Sequence, residues 1–456
     1  MRRILIVAVA AACTHPTTSR TTPRPPVEQP RPAALEPTTP GASVLLAVTG
    51  YGAAREGLAL AELATGYCAG EVAVLDAVHA LADQRFACTN PKVVAALDDF
   101  LPLAKTAAIV TDLDHVSARW KALRVDGASA FADPARYPLV VGTPRLDVAA
   151  HLTHFILTGV TAITRAAGAQ IDANGIDWYT KNLRAEFADA KYVHISNEVS
   201  LKADCTYPVS GTYQFCSKER DFQALIDLHA NVIELTGNHM RDFGDAPLKK
   251  TLVWYKAHQM GTFGGGNNPE EANAPLILEL ADGKRLGILG YNEKCPLKEC
   301  AVKPGEVGAN AWDATKAKAG IGKLRAAGVD FIMTTVQFKE WDSAQPTAAQ
   351  QQISHDLIDM GSDLVYGSQA HQLQVVEFYK GKPIFHGLGN LMFDQVHRLG
   401  VRQAFFLHEY FFAGRLVQAV PVFTFMSDER QPTLATPEQA VAERAIIFED
   451  ARLYSP

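Results

Sequence analysis

The sequence predicts an α/β protein in which a layered sheet domain follows a smaller α/β domain. The chain has 456 residues, too many for a single small core, so two or more domains are expected. From about residue 149 onward, short apolar runs alternate with segments of helical periodicity, and several runs end in glycine followed by polar residues. This alternation indicates a sheet covered by helices, with ligands bound at its carboxyl edge.

The composition argues against two classes of function. The formal net charge is −6, so the chain has no basic field that would attract nucleic acid. No apolar run approaches the ~20 residues that a helix needs to span a bilayer. We therefore expect no nucleic-acid partner and no transmembrane helix.

The first residues have the pattern of an export signal. Residues 1–3 are a basic start, residues 4–12 are apolar, and residues 10–13 (AAAC) are similar to a bacterial lipoprotein cleavage box. We predict that Cys13 carries a lipid, which anchors an exported protein to a membrane of the bacterial envelope. The alternative is an ordinary secreted protein that is cleaved nearby. Residues 14–40 are rich in Pro and Thr and are expected to form an extended tether.

The six remaining cysteines fall into three pairs that are close in sequence. An even number of cysteines in an exported protein supports disulfides, although other pairings are open. A cysteine metal site is disfavoured because no Cys-x-x-Cys spacing occurs. The pairs that we favour are Cys68 with Cys88, Cys205 with Cys216, and Cys295 with Cys300.

Residues 41–148 are predicted to form the smaller α/β domain. Apolar runs at 44–48 and 107–110 are strand candidates, and residues 71–86 and 92–103 have helical periodicity. This part of the chain carries no clear chemical motif.

Residues 149–430 are predicted to form the larger domain, and residues 431–456 a C-terminal segment. Strands are predicted at 155–159, 192–196, 331–336 and 364–367, and helices at 220–230, 246–260, 311–327 and 347–360. Hairpins are predicted for 276–280 with 285–290, and for 375–379 with 383–386. Charged residues and a proline interrupt the apolar stretch 405–425, which predicts edge or return strands rather than a membrane helix.

The stretch that carries the chemistry is residues 232–244 (VIELTGNHMRDFG). An apolar strand runs into Gly237-Asn238-His239, and Asp242 follows. Asn offers an oxygen ligand for a metal, and His offers a nitrogen ligand or a proton donor. The alternative is a simple turn, because Gly and Asn favour turns.

Taken together, the strand ends resemble the CapA (poly-γ-glutamate capsule synthesis) family, which shares the calcineurin-like metallophosphatase fold. The resemblance covers roughly residues 150–425 and implies a metallophosphatase-like sheet domain. The pieces that carry it are residues 158–165 (TGVTAITR), 196–198 (SNE), 235–244 (LTGNHMRDFG), 264–267 (GGGN), 367–374 (GSQAHQLQ) and 387–394 (GLGNLMFD).

The resemblance implies a metal site, but several ligands of the family pattern are replaced. Val160 stands where the family has an Asp, residues 369–371 keep one of two histidines, and the turn 337–340 has lost its His. A two-metal centre needs enough anionic and imidazole ligands to hold two cations. The remaining set implies at most one divalent metal (Mn, Zn or Mg), and a polar pocket without metal is the alternative. The implied ligands are Glu198, Asn238 and His371, with Glu340 in reserve.

The resemblance further implies a role in making, exporting or anchoring an anionic surface polymer such as poly-γ-glutamate or capsule. If the protein is catalytic, water on the metal would attack an ester or amide of the polymer or of a small substrate, and His239 would protonate the leaving group. Asp242 and Arg165 complete the expected catalytic set; Arg165 would hold an anionic substrate, or would simply be an exposed residue at a helix start. One rival is a protein that binds polymer in this pocket without catalysis. The other is an active metallophosphoesterase whose ligands lie outside these motifs.

Overall fold

The structure is a computed structural model that describes residues 43–141, 148–208, 213–295 and 300–448. All of these described residues belong to one compact unit. The predictions for the export signal, for Cys13 and for the tether at 14–40 lie outside the described residues, as does the end of the chain after residue 448. The boundary between two domains near residue 148 stays a prediction.

The N-terminal part is built around a six-stranded sheet with the order β4-β3-β5-β1-β6, in which β8 also pairs with β1. A separate two-stranded sheet pairs β2 with β7. Its elements are β1 (Ser43–Gly50), β2 (Gly57–Leu58), α1 (Leu60–Cys68), β3 (Ala73–Leu75), α2 (His79–Phe86), β4 (Val93–Val94), β5 (Ile109–Asp112), β6 (Trp120–Ala122), β7 (Arg124–Val125) and β8 (Val140–Val141).

Two of the predicted helices in this part are wrong in extent or in type. Residues 71–86 do not form one helix, because Ala73–Leu75 is a fully buried strand that pairs with β5 and β4. Residues 92–103 form the short strand β4 and then a 3₁₀ helix, Leu97–Leu103. Pro102 lies inside this 3₁₀ helix and lacks the N–H that an α-helix would need.

The larger part continues with the elements that form the second sheet and its helices. The sheet has the order β15-β14-β11-β9-β25-β26-β27, and β10 pairs with β11 and with β24. The elements of its first half are α3 (Val148–His151), β9 (Thr153–Leu157), β10 (Val160–Thr161), α4 (Arg165–Asn174), α5 (Ile176–Thr180), α6 (Arg184–Phe187), β11 (Tyr192–Asn197), β12 (Ser200–Leu201), β13 (Cys216–Ser217), α7 (Gln223–Asp227), β14 (Val232–Glu234), α8 (Asp245–Ala257), β15 (Gly261–Phe263) and β16 (Gly265–Gly266).

The third sheet has the order β17-β18-β20-β21-β23-β22, and the chain then returns to complete the second sheet. The elements of this half are α9 (Pro269–Ala272), β17 (Leu276–Glu279), β18 (Arg285–Asn292), β19 (Gly308–Ala309), α10 (Ala314–Ala326), β20 (Phe331–Gln337), α11 (Ala348–Met360), β21 (Leu364–Ser368), β22 (Val376–Tyr379), β23 (Lys382–Phe385), β24 (Asn390–Met392), β25 (Gln403–Phe412), β26 (Arg415–Met426), β27 (Pro432–Leu434) and α12 (Pro437–Phe448).

The second and third sheets pack face to face and carry helices on their outer sides. Residues of β9 and β25 share one apolar core with residues of β18, β20 and β21. Helix α8 packs on the outer side of the second sheet, and α10 and α11 pack on the outer side of the third. This layered arrangement confirms the predicted α/β fold class, and the predicted hairpins appear as β17 with β18 and β22 with β23.

The apolar stretch 405–425 forms the long return hairpin β25–β26, as predicted. Strand β25 lies inside the second sheet, between β9 and β26, and the tip of the hairpin also contributes Tyr410, Phe412 and Val417 to the N-terminal core. Among the described residues, no helix is long and apolar enough to cross a membrane. The three favoured disulfides are all formed.

Candidate functional site

The carboxyl ends of two pairs of parallel strands meet at one place between the packed sheets. Glu198 follows β11, and Asn238 follows β14, its parallel neighbour in the second sheet. Gln337 ends β20, and Gln369 follows β21, its parallel neighbour in the third sheet. All four side chains are almost fully buried. The sequence therefore brings polar groups from both sheets into one strand-end cluster.

The carboxamide of Gln337 lies at the centre of the cluster. Its Nε2 donates hydrogen bonds to Oε1 of Glu198 and to Oε1 of Gln369, and it lies 3.2 Å from Oδ1 of Asn238. Three oxygen acceptors thus converge on one nitrogen that carries two hydrogens. The two sheets are connected through this amide.

Backbone groups fix which end of the Gln337 carboxamide faces the acceptors. Asn292, the register neighbour of Gln337 on β18, accepts a 2.6 Å hydrogen bond from the backbone N–H of Cys295 through Oδ1. Its Nδ2 donates to the carbonyl of Thr236 and to Oε1 of Gln337. Because Asn292 is oriented by two backbone partners, Gln337 presents its oxygen to Asn292 and its N–H groups to the cluster.

Gln369 extends the network towards the surface. Its Nε2 donates to Oε1 of Glu340 at 3.1 Å, and the same oxygen accepts from Nζ of Lys294 at 2.8 Å. Desolvation acts to raise the pKa of Glu340, but the hydrogen bond and charge interaction with Lys294, together with smaller contributions from His371 and Gln369, outweigh it, so this pKa lies below its ordinary value. Glu340 itself is exposed, at the outer end of the network.

His371 lies beside the cluster rather than at its centre. Its Nδ1 is 2.8 Å from Oδ1 of Asn390, and its Nε2 is 3.4 Å from Nε2 of Gln369. Asn390 is held by its own bonds to the carbonyls of His371 and Val401. This places the proton of His371 on Nδ1 and turns its Nε2 lone pair towards the Gln369 carboxamide. Two carboxamides therefore separate His371 from Glu198.

His239 and Asp242 form a pair at the side of the cluster. Nδ1 of His239 lies 2.7 Å from Oδ2 of Asp242, which also accepts a 2.7 Å hydrogen bond from the backbone N–H of Phe215. The Phe215 ring stacks on the imidazole with a centroid distance of 4.0 Å. Within the described part of the chain, Nε2 of His239 makes no hydrogen bond. This nitrogen is the atom that the pair presents for binding or proton transfer.

Arg165 is half-buried and paired with a carboxylate, so it is not simply an exposed residue at a helix start. Its Nε donates to Oδ2 of Asp394 at 3.0 Å, and its Nη2 bonds the other carboxylate oxygen. The guanidinium lies over the rings of Phe215 and Phe393, at 4.3 and 5.3 Å from their centroids. Asp394 neutralises Arg165, so the contribution of Arg165 to ligand binding stays a prediction.

The described residues do not fit a divalent metal at this place. Glu198 is the only carboxylate in the centre, and the described chain contains no group of three His, Cys, Asp or Glu side chains that could hold a metal. The central position is filled by N–H groups, which repel a cation. One feature is still suited to a cation: Oε2 of Glu198 is buried and makes no hydrogen bond within the described residues. A single free oxygen is too few ligands for a metal site.

Gln337 and Gln369 were not predicted as site residues, because glutamine is not one of the metal ligands that the motifs lead one to expect. A signal was nevertheless present: by resemblance, both positions belong to motifs whose histidines are lost, and both now carry glutamine. Two carboxamides can form hydrogen bonds to each other and to neighbouring oxygen atoms. Two residue types that replaced the histidines independently of each other would not match in this way. Asn292, which orients Gln337, carries no signal of this kind.

Two packed sheets between helices, with polar side chains gathered at the strand ends, define a layered α/β protein with a candidate site at the carboxyl ends of its strands. Residues 154–395 match the family described as "Bacterial capsule synthesis protein PGA_cap". The match spans more than half of the chain and includes every residue of the strand-end cluster. The chain belongs to this family, which confirms the resemblance seen in its motifs.

The sequence identity between this chain and individual curated relatives is low. Over 230 residues the chain is 24% identical to "Capsule biosynthesis protein CapA" of Bacillus anthracis, covering 49% of this chain and 56% of that protein. Over 179 residues it is 25% identical to "PGA biosynthesis protein CapA" of Bacillus subtilis, covering 39% and 47%. The chain thus spans about half the length of the curated relatives it matches. Among solved structures, a 5′-nucleotidase precursor from Thermus thermophilus is similar with a TM-score of 0.40 and 16% identity, over 64% of this chain and 58% of that chain.

Proposed function

We propose that this protein is a cell-envelope component that takes part in making, exporting or anchoring an anionic surface polymer such as poly-γ-glutamate. In this proposal it binds a segment of the polymer at the strand-end edge and does not cleave it with a metal ion. The names of the two Bacillus relatives, capsule and PGA biosynthesis proteins, support the polymer class. The observation that carries the metal-free role is the Gln337 carboxamide at the centre of the cluster.

In this role His239 is the side chain that contacts the polymer. Asp242 holds Nδ1–H of the imidazole, so Nε2 accepts a hydrogen bond in the neutral form and donates one to a carboxylate when protonated. Phe215 stacks on the ring and fixes its plane. A glutamate polymer offers both carboxylates and amide N–H groups to such a nitrogen.

The His239–Asp242 pair also supports a second candidate, a metal-independent hydrolase or transferase. A histidine oriented by a carboxylate is the usual arrangement of a general acid or base. In that case His239 would move a proton during cleavage of a polymer amide. The two candidates differ in whether the polymer is shortened.

Calorimetric titration of the full chain with defined poly-γ-glutamate oligomers, with and without EDTA, tests the proposal. We expect binding that EDTA leaves unchanged and that His239→Ala weakens by about tenfold or more, because a charge-assisted hydrogen bond is lost. His115→Ala is the matched control, since His115 forms a similar pair with Asp112 in the N-terminal part, 2.6 Å between Nδ1 and Oδ1. Absence of binding would refute the proposal, and shortening of the oligomers that stops with EDTA would refute its metal-free part.

A further inference from the structure

We propose that the carboxamide of Gln337 takes the place of a metal ion, so that the strand-end cluster is a permanently metal-free centre. This inference rests on the proposed metal-independent function and extends it to the side chain that is responsible. It concerns Gln337, whose two N–H groups connect Glu198 and Asn238 of one sheet to Gln369 of the other.

Oxygen acceptors from both sheets converge at the centre of the cluster. Oxygen atoms of Glu198, Asn238 and Gln369 point at one place, and such atoms repel each other unless a positive group lies between them. In a metal centre that group is a cation. In this chain the partial positive charges of the Gln337 N–H groups lie between the acceptors instead. The Gln337 side chain is attached to the backbone at the end of β20.

The Gln337 amide cannot turn around to make room for a cation. At present Nδ2 of Asn292 donates to Oε1 of Gln337. If the amide turned, Nε2 of Gln337 would face this donor instead, and Oε1 would face three oxygen acceptors. Asn292 is held by Cys295 N–H and by the Thr236 carbonyl, so it cannot turn in compensation. The donor pattern is therefore consistent in only one orientation.

Gln337 is paired with Gln369. By resemblance these two glutamines stand in motifs where the family has histidines, and here each completes the other: Oε1 of Gln369 accepts from Gln337, while Nε2 of Gln369 donates to Glu340. The chain of donors and acceptors runs without a break from Glu198 to Lys294. A metal ion would have to displace this network, and among the described residues of the cluster only Oε2 of Glu198, which has no hydrogen-bond partner, would gain one from it.

The experiment is metal analysis of the full chain after dialysis against Mn²⁺ or Zn²⁺ and desalting, together with thermal unfolding with and without EDTA. We expect far less than one equivalent of metal and the same Tm in both conditions. The double variant Gln337→His/Gln369→His is expected to bind close to one equivalent, with a Tm that rises when metal is added. Gln352→His, on the exposed side of α11, is the control for an added histidine and is expected to bind none.

A double-mutant cycle keeps the test valid if the histidine variant does not fold. Gln337→Met removes the donors at similar volume, and Glu198→Gln removes the charge that they satisfy. We expect Gln337→Met to lower Tm much less in the Glu198→Gln background than in the native one, whereas equal losses would overturn the inference. A native chain that holds one equivalent of metal, lost in Glu198→Gln, would also overturn it, whether or not the polymer binds. Failure of polymer binding in a metal-free chain would refute the proposed function alone.

Discussion

Gly237 is the residue that allows the strand ends of the site to come together. A Cβ atom at this position would lie 2.6 Å from Cα and 3.1 Å from Cβ of Glu198. Contacts this short with backbone cannot be relieved by a side-chain rotation, so the loops after β11 and β14 would have to separate. The glycine of the Gly237-Asn238-His239 motif is thus required for space.

We therefore expect Gly237→Ala to lower the free energy of unfolding by about 1–3 kcal/mol, because it overpacks a buried contact. Gly322→Ala is the control: Gly322 lies in α10, has nothing within 4 Å of its added Cβ, and should gain about 0.5–1 kcal/mol from reduced backbone freedom. Urea denaturation of both variants measures the difference. If the two alanines changed stability alike, the packing argument would be wrong.

The sequence predicted where the site residues lie better than it predicted what each of them does. Glu198, Asn238 and His239 follow apolar strands, so their place at the sheet edge could be expected from the strand pattern. The partner of Glu198 and Asn238 could not be expected, because both accept from Gln337, which lies 139 and 99 residues away in sequence. Only the packing of the two sheets decides that Gln337, and not Glu340, lies at the centre.

At the scale of elements, the disulfide Cys205–Cys216 closes the loop that carries Phe215. Cys216 belongs to β13. This strand pairs with β12, which begins two residues after Glu198. The cross-link thereby holds the Phe215 ring against His239 and the Phe215 N–H against Asp242. Through this loop, the fold of the second sheet determines the orientation of the His239 imidazole.

Replacing both cysteines, Cys205→Ala with Cys216→Ala, should lower the free energy of unfolding by roughly 2–3 kcal/mol, because a short loop gains freedom in the unfolded chain. It should also weaken binding of poly-γ-glutamate, since His239 loses its stacked ring. The control is Cys68→Ala with Cys88→Ala, a cross-link of the N-terminal part. That variant should lose stability and keep its affinity in calorimetric titration. Equal effects of the two pairs on binding would argue against a positioning role for the Phe215 loop.

Strands and helices could be predicted where the hydrophobic periodicity and the length of a segment indicated the same type of element. The strands β20 and β21 and the helix α11 lie within one or two residues of their predicted ranges, because long apolar or amphipathic runs leave little choice. Strand β3 was missed because three apolar residues fit a helix pattern equally well, and only pairing with β4 and β5 selects the strand. Short elements are decided by their neighbours in space.

At the scale of the whole molecule, a carboxyl group lies in the apolar layer between the second and third sheets. Glu409 lies on the same face of β25 as Phe405, Leu407 and Phe411, which all belong to the shared core. It is fully buried, and neither carboxyl oxygen has a hydrogen-bond partner within the described residues. Burial raises the pKa of Glu409 to about 8, so the folded protein holds a proton there at neutral pH.

This buried proton makes the stability of the whole protein depend on pH. The folded pKa is raised above the unfolded value of about 4.3, so between these values the folded state keeps a proton that the unfolded state has lost. The free energy of unfolding should therefore fall as pH rises from about 4.5 to 8, by up to about 1.4 kcal/mol per pH unit for this group. Glu443 of α12, whose burial also raises its pKa to about 8, should add a second contribution of the same sign.

Glu409→Gln keeps the shape of the side chain and removes its titration. We expect the variant and the native chain to be similar in stability near pH 4.5, and the variant to become progressively more stable as pH rises to 8. Urea denaturation across this range measures the two slopes, and the Glu409→Gln/Glu443→Gln double variant should have the shallowest slope of all. Parallel curves for the native chain and Glu409→Gln would mean that this carboxyl group is ionised in the folded core, with a partner that compensates its charge.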